Sequence, residues 1–474
     1  MSKDNTGFFD HSTFEAFVDK LMKEYDAPGL CVGIISKGDM IYSKGFGYRN
    51  LEQKLPVTEE TVFGIASVSK SFSALAIMQL AERGLLSVEH PVKRYLPGFG
   101  LPDNSAEWKV NIHNFLTHTP GIPPLPSLNY GIIESTELDE KDREELSEDE
   151  LAPDRPSVED TEGLLKFIAN HDYQLLGRPG QYVSYSNDAY GLLGSIIELV
   201  SGKSYEDYLQ ENILMPLGMA HTTTRVDRIK ELPDVTSLYY KDKDDNLCTS
   251  EHWQEAPSFT ACGFIKSTVR DLLSYLNLYL NNGTVGANCI ASPCSISRMV
   301  TPYYLYNPDV WYGYGFNIRP DYQGVTLIQH SGSLRGVASN IGYVPEKDFG
   351  VVVLCNLSGF PASKVWLGAV NLLLGLPVDN LTIKKEVCPQ PVSRLLKFAG
   401  TYRSGEGAII KVQLSEDKLE AEIDSKAYPV ETTGWDTAVI TVRGIESHVR
   451  FLFNPAGDVW ALRYGSRIIL KADD

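Results

Sequence analysis

The chain's length, composition and charge limit what it can be. Its 474 residues exceed what one simple core needs, so two or three domains are expected, and 43% hydrophobic residues with 22% charged ones are ordinary for a soluble globular protein. A net charge of −18 argues against a nucleic-acid partner. No apolar run reaches the length of a membrane span and no apolar leader begins the chain, so we expect no membrane partner and a cytoplasmic location.

The seven cysteines are scattered, and no Cys-x-x-Cys pair or Cys/His cluster suggests a metal. We therefore expect free, buried thiols in a reducing compartment, and neither a metal nor a cofactor.

The first elements predicted along the chain are a helix and a hairpin. Residues 11–25 have the apolar spacing of an amphipathic helix, and residues 29–50 have the pattern of a hairpin, two strands around a turn at 37–39. Residues 67 to about 280 then have a mostly helical pattern, with loops rich in proline and glycine.

Strand patterns return late in the chain. The predicted strands are 314–318, 326–330, 340–344 and 350–355, and a helix is predicted near 363–374. We therefore predict an α+β (α/β sandwich) fold over residues 1–380. Its antiparallel sheet would be formed by both ends of this domain and flanked by helices. An all-helical subdomain would be inserted, leaving a cleft between the two parts.

The C-terminal part has a different pattern. Residues 376–393 resemble a linker, and short alternating strands follow, at 409–414, 419–423, 439–442, 449–453, 459–463 and 468–470. We predict a small antiparallel β-barrel or sandwich as a second domain, residues 394–474.

An acidic insertion occupies residues 134–160, with 13 acidic and 3 basic residues. Such a segment is typical of a solvated, mobile surface loop. The alternative is a lid or a partner-docking loop beside the cleft.

Ser67 and Lys70 stand three positions apart at the start of an apolar helix. Positions i and i+3 share one helix face, so the lysine nitrogen can reach the serine hydroxyl. A free serine is a poor nucleophile, and a partly desolvated amine near the positive helix end can take its proton. We therefore predict Ser67 as a nucleophile and Lys70 as part of its base.

The same spacing recurs at Ser415 and Lys418. That copy lies in a charged, turn-like stretch, whereas the helix after Ser67 is apolar on nearly all faces and ends near Gly84. A helix that is apolar all round is buried, so the context favours the first pair.

Tyr185 and Asn187 lie on a turn that precedes the apolar helix 190–200. A side chain on a turn can face a cleft, and a phenol beside an amine can serve as base or acid. We predict that Tyr185 shares the proton transfer with Lys70 and that Asn187 orients the lysine or the substrate.

Residues 330–333 follow the predicted strand 325–329 and contain the only His-x-Gly triplet. On an edge strand, His330 would add positive potential or a hydrogen bond, and Gly332 would let a carbonyl substrate approach the backbone. The amide of Ser333 would pair with that of Ser67 as an oxyanion hole. The alternative is a structural histidine.

Three further residues stand outside the predicted site. We interpret His113 and His118 as packing and capping groups around a buried helix and turn. Arg335 either supplies a cation near His330 or is an exposed surface residue.

Together, in this order, the motifs resemble those of the serine beta-lactamase and penicillin-binding-protein superfamily. Ser67 and Lys70 match its Ser-x-x-Lys motif, and Tyr185-x-Asn187 matches the class C branch. His330-Ser331-Gly332 stands where true beta-lactamases have Lys-Thr-Gly, as in class C beta-lactamase-like esterases and D-aminopeptidases. The resemblance covers roughly residues 11–375, and the C-terminal part resembles the lipocalin-like extension of some members.

The resemblance implies a serine hydrolase that forms an acyl-enzyme with a small ester, amide or peptide. Histidine in place of lysine shifts the expected substrates away from beta-lactams. An acyltransferase with the same acyl-enzyme, and a binding protein without catalysis, are the alternatives. The barrel would cap the cleft or mediate assembly into a homo-oligomer.

Overall fold

The computed structural model describes residues 9–102, 109–138, 143, 146–152, 154–380, 386–442 and 444–472. Within these ranges the chain forms a mixed α+β part on one large antiparallel sheet, followed by a closed antiparallel barrel. The predicted fold class is therefore confirmed.

The helices and strands follow in chain order. The helices are α1 His11–Tyr25, α2 Ser69–Glu82, α3 Ile112–Leu116, α4 Ser127–Ser135, α5 Glu148–Leu151, α6 Thr161–Asn170, α7 Asn187–Ser201, α8 Tyr205–Leu209, α9 Met215–Leu217, α10 Val226–Ile229, α11 Thr260–Gly263, α12 Val269–Leu280, α13 Pro293–Met299, α14 Ala362–Leu373 and α15 Val392–Phe398. The strands of the mixed part are β1 Gly29–Ser36, β2 Asp39–Asn50, β3 Leu55–Pro56, β4 Phe63–Gly64, β5 Leu238–Lys241, β6 Leu247–Ser250, β7 Lys266–Ser267, β8 Thr284–Val285, β9 Asn288–Cys289, β10 Tyr304–Asn307, β11 Val310–Tyr312, β12 Asn317–Tyr322, β13 Val325–Leu334, β14 Val337–Val344 and β15 Phe349–Cys355. The barrel strands are β16 Gly400–Arg403, β17 Ile409–Ser415, β18 Lys418–Ile423, β19 Lys426–Thr432, β20 Thr437–Val442, β21 Ile445–Phe453, β22 Val459–Tyr464 and β23 Arg467–Lys471.

The large sheet joins the two ends of the mixed part, as predicted. Its strand order is β10-β11-β12-β13-β14-β15-β1-β2-β3, and β1 pairs antiparallel with both β2 and β15. Strands β1, β14 and β15 are buried along nearly their whole length. Burial on both faces explains why their sequences are continuous apolar runs rather than alternating ones.

Helices cover both faces of this sheet. Helix α12 packs on β1, β14 and β15 from one side, and α14 packs on β14 and β15 from the other, with α1 against it. A Cβ on Gly33 would lie 2.3 Å from a methyl of Val269, so the glycine lets α12 approach β1 closely.

Helix α2 is buried on all sides, as its apolar sequence predicts. Residues 69–80 are buried against α7, α11 and their neighbours. A 3₁₀ turn, Ala66–Val68, precedes the helix, and Gly84 follows its end with φ +70°. The left-handed glycine after the last turn is the predicted helix stop.

Two predicted strand boundaries are wrong. Residues 314–316 form a turn before β12 because Gly315 has φ +73° and lies against α2, with its would-be Cβ 2.7 Å from the Cα of Ser71. Strand β13 continues to Leu334, so His330 lies inside the strand rather than after it. Beyond Gln329 it pairs, among the described strands, with β14 alone, which leaves one edge without a strand partner there.

The barrel closes through pairing of β16 with β23, and Phe398 stacks on Phe451 in its core, with ring centroids 4.0 Å apart. The six predicted strands are present, but β16, β19 and helix α15 were not predicted. Strand β16 has only four residues, and Pro429 interrupts the strand pattern of β19. Glu416 and Asp417, with φ +48° and +61°, form the two-residue turn between Ser415 and Lys418.

Part of the acidic insertion contacts helix α4. Glu134 accepts the amide of Val158 at 3.0 Å, and the Arg155 guanidinium lies over the Tyr130 ring at 5.0 Å. Residues 139–142, 144–145 and 153 lie outside the described residues, so the lid hypothesis for them stays a prediction.

The cysteines are free, but not all are buried as expected. Cys31, Cys262 and Cys355 are buried, whereas Cys289, Cys294 and Cys388 are exposed. In the described part of the chain, every helix is too short or too polar to cross a membrane.

Candidate active site

Ser67 lies on the 3₁₀ turn just before α2 and lines a large cleft. The preceding residue, Ala66, has φ +45°, a left-handed conformation that is costly for a residue with a side chain. The Ser69 hydroxyl holds the turn, because it donates to the Ala66 carbonyl at 2.7 Å and accepts from the Ile265 amide at 3.2 Å. Buried hydrogen bonds thus fix the strained turn that presents Ser67.

Lys70 points its ammonium group at Ser67 from a fully buried position. Its Nζ lies 3.3 Å from Ser67 Oγ, 2.9 Å from Asn187 Oδ1 and 2.7 Å from the carbonyl oxygen of Cys262. The amide and carbonyl oxygens can only accept, so two N–H bonds are committed to them. The third position of the nitrogen faces the serine hydroxyl, where a neutral lysine would present its lone pair.

Tyr185 lies on the other side of the lysine. Its ring centroid is 4.7 Å from Lys70 Nζ, and its hydroxyl is buried without a hydrogen-bond partner among the described residues. The His118 ring lies 4.2 Å from the Tyr185 ring and accepts the Ser186 amide at Nδ1. This contact agrees with the packing and capping interpretation of His118.

Burial, and then the nearby charge of Lys70, holds the pKa of His118 well below its usual value. His118 is therefore neutral, and its contribution beside Tyr185 is packing and a fixed hydrogen bond. His113 lies on helix α3, where its Nδ1 contacts the Tyr314 hydroxyl at 2.8 Å.

Asn187 opens helix α7 and links two parts of the site. The Ser186 side chain caps this helix by accepting the amide of Ala189, which fixes the first turn. Asn187 Oδ1 accepts from Lys70, and its Nδ2 lies 3.5 Å from Glu406 Oε1 on the barrel.

His330 lies on β13 facing the cleft, and it is buried. Its Nδ1 contacts the Ser331 carbonyl at 2.6 Å, so this nitrogen carries the hydrogen, and Nε2 accepts from the Tyr312 hydroxyl at 3.1 Å. Burial, and then the charge of Lys70, lowers the pKa of His330 to about 3. The expected positive potential is therefore absent near neutral pH, and the ring makes hydrogen bonds instead.

Gly332 has a steric role that the sequence did not indicate. A Cβ at this position would lie 2.3 Å from the Ile65 carbonyl oxygen and 3.0 Å from the Ala66 side chain. The glycine therefore lets β13 abut the turn that carries Ser67, and the Ser339 hydroxyl reinforces the contact by donating to Ile65 at 2.7 Å.

Ser333 and Ser67 line the same cleft, which has a volume of about 1000 Å³ and extends to the barrel. Arg335 lines a separate cavity of about 210 Å³ near α4, where its guanidinium stacks on Tyr240 at 3.6 Å. The structure thus brings together all seven predicted site residues and places Arg335 elsewhere.

The barrel reaches into the site through two hairpin turns. The Tyr185 amide donates to the Ser466 carbonyl at 2.9 Å, and the Arg467 guanidinium lies 4.9 Å from the Tyr185 ring centroid. Arg467 binds Glu406 through both carboxylate oxygens. Glu406 also contacts Asn187, so the barrel and helix α7 meet at the lysine's partner.

Sequence reasoning missed four contributors to this site. Glu406 and Arg467 are ordinary turn residues of a barrel, and Cys262 acts through its backbone, so no side-chain pattern marks them. Tyr312, which bonds His330, lies in the stretch 312–316, where aromatic residues alternate with glycines, and this pattern was the available signal.

Comparison with known proteins identifies the family of the chain. The beta-lactamase family matches residues 14–373, most of the chain. The chain belongs to the beta-lactamase family. It is 25% identical over 347 residues to protein flp of Staphylococcus aureus (strain MW2); the match covers 73% of this chain and 62% of the Staphylococcus protein.

Two solved structures extend the comparison. The octameric penicillin-binding protein homologue from Pyrococcus abyssi superposes with a TM-score of 0.70 at 32% identity, covering 98% of this chain and all of that one. The class C beta-lactamase from Rhodobacter sphaeroides has a TM-score of 0.60 at 23% identity, covering 77% of this chain and 99% of its own. The first match covers nearly the whole chain and therefore includes the barrel, and the second shows a likeness of fold alone.

Proposed function

We propose that the protein is a serine hydrolase that works through a covalent acyl-enzyme on esters, small amides or short peptides. The observation that carries the proposal is the 3.3 Å contact between Lys70 Nζ and Ser67 Oγ, with the lysine held in place by Asn187 and Cys262. A fixed, buried amine facing a serine on a strained turn is an arrangement for activating that hydroxyl.

In the first half-reaction, Ser67 Oγ forms a bond to the substrate carbonyl carbon. Its proton passes to the Lys70–Tyr185 pair, and the amides of Ser67 and Ser333 hold the oxyanion. When the tetrahedral intermediate collapses, the bond to the leaving group breaks and the same proton goes to the leaving oxygen or nitrogen. In the second half-reaction, water adds to the acyl carbon, gives its proton to the pair, and Ser67 leaves with that proton.

His330 favours uncharged substrates over beta-lactams in this scheme. Its pKa of about 3 leaves it neutral, so the third motif offers no cation to a substrate carboxylate near neutral pH. The neutral ring keeps the strand edge in place through its bonds to Ser331 and Tyr312.

The test is covalent labelling with a fluorophosphonate, followed by intact mass. The wild-type chain should gain one adduct, and Ser67→Ala should gain none. Ser415→Ala is the matched control, since it removes the serine of the second Ser-x-x-Lys and should label like the wild type. No adduct on the wild-type protein would refute the proposal.

Acyl transfer is a second candidate, and the size of the cleft favours it. The cavity of about 1000 Å³ continues from Ser67 past the barrel strands, which leaves room for an alcohol or amine acceptor beside the acyl group. Product partition between water and added acceptors, measured with p-nitrophenyl esters, D-amino-acid amides and a chromogenic cephalosporin, separates the two reactions and ranks the substrates.

Assembly into a homo-oligomer is part of this proposal. The Pyrococcus abyssi homologue is octameric, and it aligns with nearly the whole chain, barrel included. Light scattering coupled to gel filtration should give a mass above that of one chain, and a monomer would contradict this part alone.

A further inference from the structure

The barrel contributes charge to the site as well as shape. Arg467 begins β23 and Glu406 lies in the turn between β16 and β17, so both belong to the part of the chain outside the family match. Their side chains are partly covered, with 30% and 23% of each exposed. Both therefore act in an environment where charges are incompletely screened.

The two residues meet the catalytic pair at different points. Arg467 lies over the face of Tyr185 at 4.9 Å, while Lys70 lies 4.7 Å from the same ring centroid. Glu406 lies on the Asn187 side, where its Oε1 is 3.5 Å from Asn187 Nδ2. Since Asn187 Oδ1 accepts from Lys70, a continuous chain of contacts joins the lysine, the carboxylate, the guanidinium and the tyrosine.

We propose that the Arg467–Glu406 ion pair of the barrel sets the pH range in which the Lys70–Tyr185 pair can accept a proton. A cation beside the pair favours its deprotonated state, and a carboxylate disfavours it. Arg467 thus supplies the positive charge that the third motif does not. Both act as positioning residues, and the inference rests on the function proposed above.

Besides Lys70, Arg467 is the cation among the described titratable groups around Tyr185. His118 and His330 are neutral because burial lowers their pKa values, and burial raises the pKa values of the neighbouring phenols. Burial also raises the pKa of Asp188 to about 6, and this carboxyl binds Ser127. The titratable and charged groups that surround Tyr185, Arg467 included, are Lys70, His118, Asp188, Tyr190, Tyr306, Tyr312, His330, Glu406 and Arg467.

The test is the pH dependence of the fluorophosphonate labelling rate, which reports the macroscopic titration of the pair. In Arg467→Gln the midpoint of the acidic limb should move up by about one pH unit, a rate about tenfold lower below the midpoint. In Glu406→Gln the midpoint should move down, because the arginine is no longer neutralised. Arg467→Lys should stay near the wild type.

Two further variants guard against a purely structural explanation. The double variant Arg467→Gln/Glu406→Gln removes both charges. Because Arg467 contacts Tyr185 directly whereas Glu406 reaches Lys70 only through Asn187, its midpoint should lie above that of the wild type and below that of Arg467→Gln. Arg450→Gln breaks the exposed pair of Arg450 with Asp436 on the barrel and should leave the midpoint unchanged.

The outcomes separate the two proposals. Opposite shifts in the two single variants support the inference. A lower labelling rate at every pH without a shift of the midpoint overturns the inference, and so do midpoint shifts in the same direction. In both cases, labelling of the wild type still supports the acyl-enzyme. Failure to label Ser67 in the wild type overturns the proposed function instead.

Discussion

Ser67–Lys70 and Ser415–Lys418 share a spacing and differ in everything that surrounds it. The first pair spans a strained turn and a buried helix, and its lysine is held by Asn187 and the Cys262 carbonyl. The second pair brackets a two-residue hairpin turn, and its lysine is exposed. Burial and fixed acceptors, rather than spacing, distinguish the pair that we propose to be reactive.

The largest expected difference between the pairs is in the rate of acylation. Lys70→Ala should lower kcat/KM for an activated ester by ~10²–10⁴-fold, because the proton acceptor is removed. Lys418→Ala should have no effect. The measurement is ester turnover, with circular dichroism to confirm folding. A folded Lys70→Ala enzyme within threefold of the wild type would remove the lysine from the mechanism.

The contact between β13 and the Ser67 turn sharpens the same comparison. Gly332→Ala should destabilise the fold by ~1–3 kcal/mol and slow acylation, because the new methyl group meets the Ile65 carbonyl. Gly98→Ala is the control, since its new methyl group would lie an ordinary 3.5 Å from Leu165, its nearest neighbour among the described residues. Denaturant unfolding and labelling rates check both. Equal stability of the two variants would contradict the steric account.

Burial of His330, which lies near the first pair, should also make the stability of the fold depend on pH. His330 has a pKa of about 3 in the folded state against an ordinary value of 6.5, so the unfolded chain binds its proton first as the pH falls. The contribution of neutral His330 to the free energy of unfolding is therefore fully present above pH 6.5. It is lost as the pH falls, by about 2 kcal/mol at pH 5.

His330→Gln removes that loss. The difference in unfolding free energy between pH 7 and pH 5 should therefore be about 2 kcal/mol smaller in the variant than in the wild type. His221→Gln, which changes a partly exposed histidine, serves as the control and should leave the difference as it is. Identical pH profiles for wild type and His330→Gln would show that His330 is not held neutral.

The smallest effect is expected at the second pair. Replacing Glu416 and Asp417 by Asn-Gly suits their positive φ angles and should stabilise the hairpin by about 1 kcal/mol without changing activity. Denaturant unfolding and ester turnover provide the check. A loss of activity would mean that this turn contributes to the site.

Much of the fold follows from local patterns in the sequence. Local spacing of apolar residues predicted three kinds of element: the amphipathic helix around Phe14, the buried strands β1 and β15, and the all-round apolar helix α2. Each has a clearly different spacing of apolar residues. Errors occurred where another part of the chain decides the conformation. The chain turns at Gly315 because this residue packs against α2. Helix α15 packs Leu395 and Phe398 into the barrel core, where tertiary packing overrides a weak local pattern.

The site divides along the same line. Ser67, Lys70, Tyr185, Asn187 and the 330–333 strand were found because each type of side chain has its own chemistry and each lies in a recognisable local context. The sequence left open whether His330 acts through charge or through hydrogen bonds, because its pKa depends on burial and on Lys70. Glu406, Arg467 and the Cys262 carbonyl were not predicted, because they reach the site from distant segments of the chain.

The sequence by itself therefore determined the family resemblance, the α+β class and the groups proposed for the chemistry, since these depend on residue type and local period. Only the tertiary structure decided which serine–lysine pair is buried, which groups carry charge, and that the barrel completes the site. Distances between distant segments and the exclusion of water govern those properties, and neither is written in local sequence.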